Sequence, residues 1–285
     1  MLTYIKNKIN KTVSILKRYN IFYLANCILK KISLSFILNK NNQLINRGDY
    51  FLFWKNEPFL NSLFVNPKMV REDEMFIKTF LKEDDTYIDI GANIGTTTIR
   101  ASKSVGVKGT VFAFEPHIET YLFLKKNLSL NNIKNVKVYN LALGDREEKL
   151  FITDKAASDA NHLVKEGDIS VDVKTLDSVV PDVKEINLLK IDTEGFEEAV
   201  FKGAQKTLEK TKIVFFESLK SQYDRYGFSF KTIFELLKSK NFNIYKLSFE
   251  KDGVHFEEII KPDYISDNCE NICASKDKMP TYKAF

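Results

Sequence analysis

The segment YIDIGANIGTTT (87–98) joins a short apolar run to a segment with helical character. Residues 86–90 predict a buried strand, and residues 94–105 predict the helix that follows it. Between them, Gly91 allows a tight turn, and Gly95 permits close approach of the backbone where the helix begins. In open α/β sheets, ligands bind outside the carboxyl ends of the strands. This strand–loop–helix unit therefore predicts a ligand site at the end of the first strand.

Strand-like and helix-like segments continue to alternate along the chain. The predicted helices are 71–82, 94–105, 118–131, 197–210 and 230–240, and the predicted strands are 86–90, 109–115, 136–143, 149–154, 186–192, 212–218, 242–249 and 254–260. This alternation predicts an α/β protein with a doubly wound, mostly parallel sheet. Only Glu250–Gly253 joins the last two strands, so we expect them to be antiparallel neighbours at the edge of the sheet.

The first loop and the next strand carry features of a cofactor site. The loop spacing is G-x-N-x-G with Asn93 at its apex, and not the G-x-G-x-x-G that cradles a pyrophosphate. Glu115 follows Gly95 by 20 residues and ends the next predicted strand, where its carboxylate can bind both hydroxyls of a ribose. Asp89 precedes the glycines and suits a cofactor with a positively charged amino-acid end. Together these features favour S-adenosylmethionine over a nicotinamide dinucleotide.

Several motifs between residues 86 and 220 occur in an order that resembles the FkbM-type methyltransferases. The motifs are YIDIGANIGTTT, VFAFEPHIETYLFLKKNLSLNN, NLALGD, VKTLDSVV and LLKIDTEGFEEAVFKGA. The resemblance implies a Rossmann-like class I methyltransferase fold with a seven-stranded sheet, S-adenosylmethionine as methyl donor, and O-methylation of a sugar, a glycan or another small natural product. The cofactor-binding residues that we predict are Asp89, Gly91, Asn93, Gly95, Glu115 and Ala142.

The segment EINLLKIDTEGFEEAV (185–200) runs from a predicted strand directly into carboxylates. In a doubly wound sheet this strand lies next to the first one, so that Asp192 at its end faces the sulfonium of the cofactor. Methyl transfer is an in-line displacement that needs an aligned hydroxyl and removal of its proton. We therefore predict that Asp192 is the catalytic carboxylate and that Glu194 orients the acceptor.

Each of these acids also has a structural interpretation. Asp192 could cap the helix that follows it. Glu194 could lie in the first helical turn, where carboxylates offset the helix macrodipole. We expect Glu197 and Glu198 to have that role, with their side chains on the exposed surface of the helix.

Metal and histidine chemistry are weaker alternatives. Glu217 ends the strand in FFES and could complete a divalent-cation site with Asp192, because hard cations prefer oxygen ligands. His162 lies in a polar segment, 155–168, that we predict to be a loop over the site, and it could act as general base. Cys269 and Cys273 (CENIC) could supply two zinc ligands, but no second cysteine pair accompanies them. We predict no metal site.

The composition bears on the class of acceptor and the compartment. The net charge is +5, and Lys and Arg are interspersed with Asp and Glu rather than concentrated in a groove, which argues against nucleic acid as a partner. The Asn/Asp-Pro-Pro-aromatic box of many nucleic-acid N-methyltransferases is absent. An RNA or protein N-methyltransferase and a non-catalytic cofactor-binding module stay as alternatives. Three cysteines form no disulfide framework, which favours the cytoplasm.

The chain divides by sequence into a basic, partly helical extension (1–70), a methyltransferase domain (71–261) and a tail (262–285). Within the extension, Lys30 and Lys31 interrupt the apolar stretch, so no run reaches the roughly 20 residues needed to span a bilayer. Residues 1–40 could instead form basic amphipathic helices on the inner face of an anionic membrane. The alternative is a helical extension that packs on the catalytic domain or on a second subunit.

Removal of residues 1–40 tests the membrane hypothesis. If this segment binds an anionic surface, its deletion should abolish co-sedimentation with phosphatidylserine vesicles and leave the affinity for S-adenosylhomocysteine unchanged. A full-length protein that does not bind such vesicles would favour the packing or oligomer alternative.

Overall fold

The computed structural model describes residues 43–66, 71–264 and 267–284. Residues 43–66 belong to one compact unit, Met1–Met69, and the other described residues to a second, Val70–Phe285. The segment predicted to contact a membrane lies outside the described residues. Within the described ranges, no helix combines the length and the apolar character that are needed to cross a membrane.

The described part of the first unit is a hairpin followed by a helix. Strands β1 (Leu44–Asn46) and β2 (Phe51–Phe53) pair antiparallel, and helix α1 (Pro58–Val65) comes next. The Glu57 side chain accepts hydrogen bonds from the first amides of α1, which satisfies donors that have no partner within the helix.

The second unit contains the helices and strands of the predicted α/β domain. Its helices are α2 (Arg71–Phe80), α3 (Thr96–Val105), α4 (Ile118–Leu130), α5 (Leu176–Val179), α6 (Glu197–Lys202), α7 (Gln205–Lys210), α8 (Lys220–Asp224) and α9 (Phe230–Ser239). Its strands are β3 (Thr86–Ile90), β4 (Thr110–Phe114), β5 (Val136–Tyr139), β6 (Ala142–Leu143), β7 (Glu148–Ile152), β8 (Leu163–Val164), β9 (Ile169–Lys174), β10 (Ile186–Ile191), β11 (Thr211–Ser218), β12 (Asn243–Phe249), β13 (Gly253–Glu258), β14 (Glu270–Ser275) and β15 (Tyr282–Ala284).

The main sheet of the described chain has nine strands in the order β15-β13-β12-β14-β11-β10-β3-β4-β5. The five strands from β11 to β5 are parallel. Strand β14 is antiparallel to both of its neighbours, and β13 and β15 continue the sheet in antiparallel pairs. The predicted α/β class, with a parallel centre and antiparallel strands at one side, is confirmed, although the sheet has nine strands where seven were expected.

Two apolar clusters cover the two faces of this sheet. Leu189 and Ile191 of β10 face one cluster, which includes Phe201 of α6. Leu188 faces the other cluster, which includes Phe76 of α2. Because side chains alternate along β10, Lys190 lies on the same face as Leu188, which is the face covered by α2 and α3.

The segment predicted to be a tail contributes a strand to the interior of the sheet. Residues 262–285 were expected outside the domain, but β14 lies between β11 and β12. The expected antiparallel pairing of β12 with β13 is present, whereas β12 is not adjacent to β11 as chain order suggests. The sequence ENICAS has a short apolar run between polar neighbours, and only its pairing on both sides buries it.

Three predicted elements are divided differently in the structure. The predicted strand 136–143 separates into β5 and β6, because β6 joins a second sheet of four strands in the order β6-β9-β7-β8. The predicted loop 155–168 contains a 3-10 turn and β8. The predicted helix 197–210 breaks at Gly203, where a Cβ atom would lie 1.9 Å from the carbonyl oxygen of Gly144. Close backbone contact of this kind excludes a side chain.

The position of β14 predicts a large stability effect at Ile272, which is fully buried between β11 and β12. Ile272→Ala should lower the free energy of unfolding by about 2–5 kcal/mol, because it leaves a cavity in the core. The matched control is Ile260→Ala, since Ile260 is 74% exposed and its loss should change stability by less than about 0.5 kcal/mol. Equal urea midpoints for the two variants would show that β14 is not part of the folded sheet.

Candidate active site at the carboxyl edge of the sheet

Three neighbouring strands end in register at one edge of the sheet, and the fourth continues slightly beyond them. The pairs Ile90↔Phe114 and Ile90↔Ile191 align the last residues of β4, β3 and β10, and Ile191 pairs with Phe216, two residues before the end of β11. The residues at or just beyond these positions are Glu115, Gly91, Asp192 and Glu217. The predicted cofactor loop and the predicted catalytic carboxylate are therefore neighbours along the carboxyl edge.

The loop after β3 has a backbone that only glycine can adopt at two positions. Gly91 has φ +78°, and a Cβ there would lie 1.8 Å from the carbonyl oxygen of Asp192. Gly95 has φ +96°, and a Cβ there would lie 2.5 Å from the side chain of Leu124 in α4. Asn93 between them also has positive φ, which asparagine tolerates better than most residues. The loop thus packs directly on the end of β10.

Glu115 lies beside this loop and is nearly buried. Its Oε2 accepts a hydrogen bond from the Asn93 amide, and its Oε1 accepts one from the His117 amide, both at 2.9 Å. Burial raises the pKa of Glu115 to about 7, although these two hydrogen bonds lower it.

A buried polar atom in the loop also fits the predicted cofactor. The Oδ1 atom of Asn93 is buried and has no hydrogen-bond partner in the described chain. A buried acceptor without a partner is costly, so a bound donor would satisfy it. Gly91 and Gly95 would allow the cofactor to approach the backbone closely, and Glu115 would provide a carboxylate for its ribose hydroxyls.

Two other predicted cofactor residues lie deeper than the sequence suggested. Asp89 has no exposed surface, and its Oδ2 accepts hydrogen bonds from the hydroxyls of Thr97 (2.9 Å) and Thr98 (2.6 Å) at the start of α3. This carboxylate therefore holds the start of α3, and its role toward the cofactor stays a prediction. Ala142 pairs with Val173 within an apolar cluster, and its role toward the cofactor stays a prediction.

Asp192 does not cap the helix that follows it. Its Oδ2 accepts a hydrogen bond from Lys190 Nζ at 2.8 Å, and α6 begins only after Phe196. The side chain is about a third exposed, so one edge of it remains open to a substrate.

Glu194 follows in a left-handed conformation, with φ +56°. Its Oε2 accepts a hydrogen bond from Gln222 at 2.6 Å, and its carbonyl oxygen accepts one from Arg225 at 2.9 Å. Burial, together with the charges of Asp192 and Glu217, raises the pKa of Glu194 to about 8. The side chain is thus held in place and titrates near neutral pH.

Glu217 completes an acidic cluster with these two residues. The charge of Asp192 and burial raise the pKa of Glu217 to about 7. Its Oε2 accepts a hydrogen bond from the Cys269 thiol at 3.2 Å. Within residues 43–66, 71–264 and 267–284, no three His, Cys, Asp or Glu side chains are grouped in a way that could hold a metal ion.

One acid near this cluster was missed from the sequence. Burial raises the pKa of Asp73 to about 8; Lys190 lowers it, and Glu217 and Asp192 raise it further. Asp73 lies in the first turn of α2, where an acidic residue ordinarily offsets the macrodipole. Its sequence context, RED, gave no signal that distinguishes it from a surface acid.

The expectation that Glu197 and Glu198 are exposed is wrong. Glu197 is 1% exposed, and its Oε1 accepts hydrogen bonds from the amide and hydroxyl of Thr193 and from the amide of Gly195. Glu198 is also buried and bonds the Ser229 amide. Glu197 therefore stabilises the turn after β10, whereas Glu198 connects the start of α6 to the residue that precedes α9.

His162 precedes β8 and is half-buried. Its Nδ1 lies 3.2 Å from the carbonyl oxygen of Ala160, and burial lowers the pKa of the imidazole. Its role as general base stays a prediction.

The fold and the residues at the carboxyl edge of the sheet define a class of enzyme. A doubly wound sheet, a glycine loop after its first strand and an acid at the end of the next strand are the features of a class I methyltransferase that uses S-adenosylmethionine. Residues 89–244 match the model of the Methyltransferase FkbM domain, which is more than half of the chain. The protein belongs to this family, and the predicted resemblance, enzyme class and cofactor are confirmed.

Three relatives are methyltransferases by name. Methyltransferase 1 of Beauveria bassiana is 30% identical over 178 residues, which cover 50% of this chain and 71% of that protein. Hexuronic acid methyltransferase AglP of Haloferax volcanii is 30% identical over 139 residues, covering 48% and 56%. The 2-O-methyltransferase NoeI of Sinorhizobium fredii is 25% identical over 180 residues, covering 55% and 73%.

The environment of Glu115 predicts a pH-dependent cofactor affinity. Ribose hydroxyls donate to the ionised carboxylate, and its pKa of about 7 means that the free protein takes up a proton as the pH falls through 7. The affinity for S-adenosylhomocysteine should then fall by up to about tenfold per pH unit below 7. In Glu115→Gln the affinity should be about ten- to a hundredfold lower at pH 8, and this pH dependence should disappear.

Calorimetric titrations from pH 8 to pH 6 measure both effects. The control is Glu119→Gln, an exposed acid in the first turn of α4, which should behave like the wild type. If the affinity for S-adenosylhomocysteine depends on pH in Glu115→Gln as it does in the wild type, the group that titrates is not Glu115.

Proposed function

We propose that this enzyme transfers the methyl group of S-adenosylmethionine to a hydroxyl of a sugar, a glycan or a similar small natural product. The observation that carries the proposal is the position of Asp192, whose carbonyl oxygen contacts Gly91 of the cofactor loop and whose carboxylate is partly exposed. The names of AglP and NoeI, a hexuronic acid methyltransferase and a 2-O-methyltransferase, support a sugar acceptor.

The acids of the cluster have separate tasks in this proposal. The cofactor, when bound, supplies a methyl group on a positively charged sulfur. Asp192 is ion-paired with Lys190, and it accepts a hydrogen bond from the acceptor hydroxyl and orients its oxygen. The hydroxyl proton must leave during transfer, and Glu194 and Glu217, with pKa values of about 8 and 7, are matched to accept it near neutral pH.

The charge of the site favours a neutral acceptor group at the position of methyl transfer. Around the end of β10, the carboxylates of Asp73, Asp192, Glu194 and Glu217 outnumber the cations of Lys190 and Arg225. Like charges repel strongly where solvent is excluded, so an anionic group such as a nucleic-acid phosphate is disfavoured at that position. A sugar hydroxyl carries no such charge.

The compartment and assembly are part of the same proposal. Cys269 and Cys273 are free thiols in the described chain, which supports the reducing cytoplasm. Peripheral membrane contact through residues 1–40 and a homo-oligomer stay predictions.

The acceptor class is tested with S-adenosylmethionine that carries a tritiated methyl group. The panel contains methyl glucoside, methyl glucuronoside and total RNA. We expect label on a sugar as an ether, which survives mild alkali. Alkali-labile label would indicate a methyl ester on the uronate, and label on RNA alone would contradict a sugar acceptor.

Asp192→Asn tests the role of the carboxylate. It keeps the shape and removes the charge, so the acceptor hydroxyl loses a hydrogen bond to a charged group, and turnover should fall about ten- to a hundredfold while the affinity for S-adenosylhomocysteine changes little. The matched control is Asp277→Asn, an exposed residue that follows β14 at the opposite edge of the sheet and should retain full activity. Loss of wild-type turnover in EDTA, restored by magnesium, would make Asp192 a metal ligand. Wild-type turnover in Asp192→Asn would refute both the orienting role and the metal-ligand role of Asp192.

A further inference from the structure

A buried lysine lies at the centre of the acidic cluster. Lys190 is 3% exposed, and its Nζ lies 2.8 Å from Asp192 Oδ2 and 4.0 Å from Asp89 Oδ1. The register of β10 and β3 places Lys190 directly opposite Asp89. A buried ammonium group is costly unless it is paired, so this arrangement must be held by its acidic partners.

The ammonium group stays charged in this environment. Burial lowers the pKa of Lys190, but the charges of Asp192, Asp89 and Asp73 together raise it above its usual value. Lys190 is therefore a cation at neutral pH.

Lys190 connects the two halves of the site. On one side is Asp89, whose other oxygen holds Thr97 and Thr98 at the start of α3, directly after the cofactor loop. On the other side is Asp192. The backbone of Asp192 is already fixed, because its amide donates to the Ile90 carbonyl oxygen at 3.0 Å. What Lys190 adds is the orientation and charge balance of the Asp192 side chain.

We propose that Lys190 is a positioning residue for methyl transfer, which holds the Asp192 carboxylate toward the acceptor and ties it to Asp89 beneath the cofactor loop. This inference rests on the proposed function, since it requires Asp192 to act on the acceptor. A lysine with a purely structural role would change the folded fraction without acting through Asp192.

A double-mutant cycle tests the proposal. Lys190→Met, Lys190→Arg, Asp192→Asn and the Lys190→Met/Asp192→Asn double variant are compared, with exposed Lys278→Met as control. Turnover of the sugar that the wild type methylates fastest is expressed per site that binds S-adenosylhomocysteine, so that unfolded protein does not count. We expect kcat to fall about ten- to a hundredfold in Lys190→Met, with KM for S-adenosylmethionine nearly unchanged.

The other variants distinguish an effect of Lys190 through Asp192 from a purely structural role of Lys190. Lys190→Arg keeps the cation and should restore kcat to within about tenfold of the wild type. The double variant should be no slower than Asp192→Asn alone, because both changes remove one interaction. Wild-type kcat in Lys190→Met, or losses that multiply in the double variant, would overturn the proposal. If Asp192→Asn itself has wild-type turnover, the proposed function fails instead.

Carboxyl-carbon NMR tests the same contact without an acceptor. The Asp192 carboxyl signal, assigned by its loss in Asp192→Asn, should change its chemical shift in Lys190→Met, because the variant removes the ammonium group that donates to this carboxylate. In Lys278→Met the signal should stay at the wild-type position. An unchanged Asp192 signal in Lys190→Met would show that Lys190 does not control this carboxylate.

Discussion

The contact between Gly91 and the end of β10 is the constraint on which the site depends. The Asp192 carbonyl oxygen occupies the space that a side chain at position 91 would need. The Asp192 amide in turn bonds the carbonyl oxygen of Ile90. This contact fixes the cofactor loop and the proposed catalytic carboxylate relative to each other through backbone atoms alone. The relative position of the loop and this carboxylate is therefore built into the pairing of β3 with β10.

A second constraint is electrostatic. The site concentrates carboxylates where water is largely excluded, and Lys190 is placed to balance two of them, Asp89 and Asp192. Burial and the neighbouring carboxylates raise the pKa of Glu194 to about 8, and the charge of Asp192 and burial raise the pKa of Glu217 to about 7. The same environment thus provides groups that can take a proton near neutral pH.

The last segment of the chain contributes to both fold and site. Strand β14 fills the gap between β11 and β12 and buries Ile272 within the sheet. The residue before this strand, Cys269, donates its thiol hydrogen bond to Glu217. A segment that is remote in sequence from the glycine loop therefore forms part of the wall around the acidic cluster.

The alternation of strands and helices between residues 71 and 260, the loop of Gly91 and Gly95, and the strand-end acids Glu115 and Asp192 could be predicted from the sequence, because period, glycine spacing and strand boundaries are local properties. The burial of charged side chains could not. Asp89 and Glu197 resemble ordinary cofactor or surface acids in their sequence context, and their burial depends on residues far away in the chain. The place of β14 also depends on tertiary structure, because a short apolar run acquires a position in a sheet only when strands on both sides pair with it.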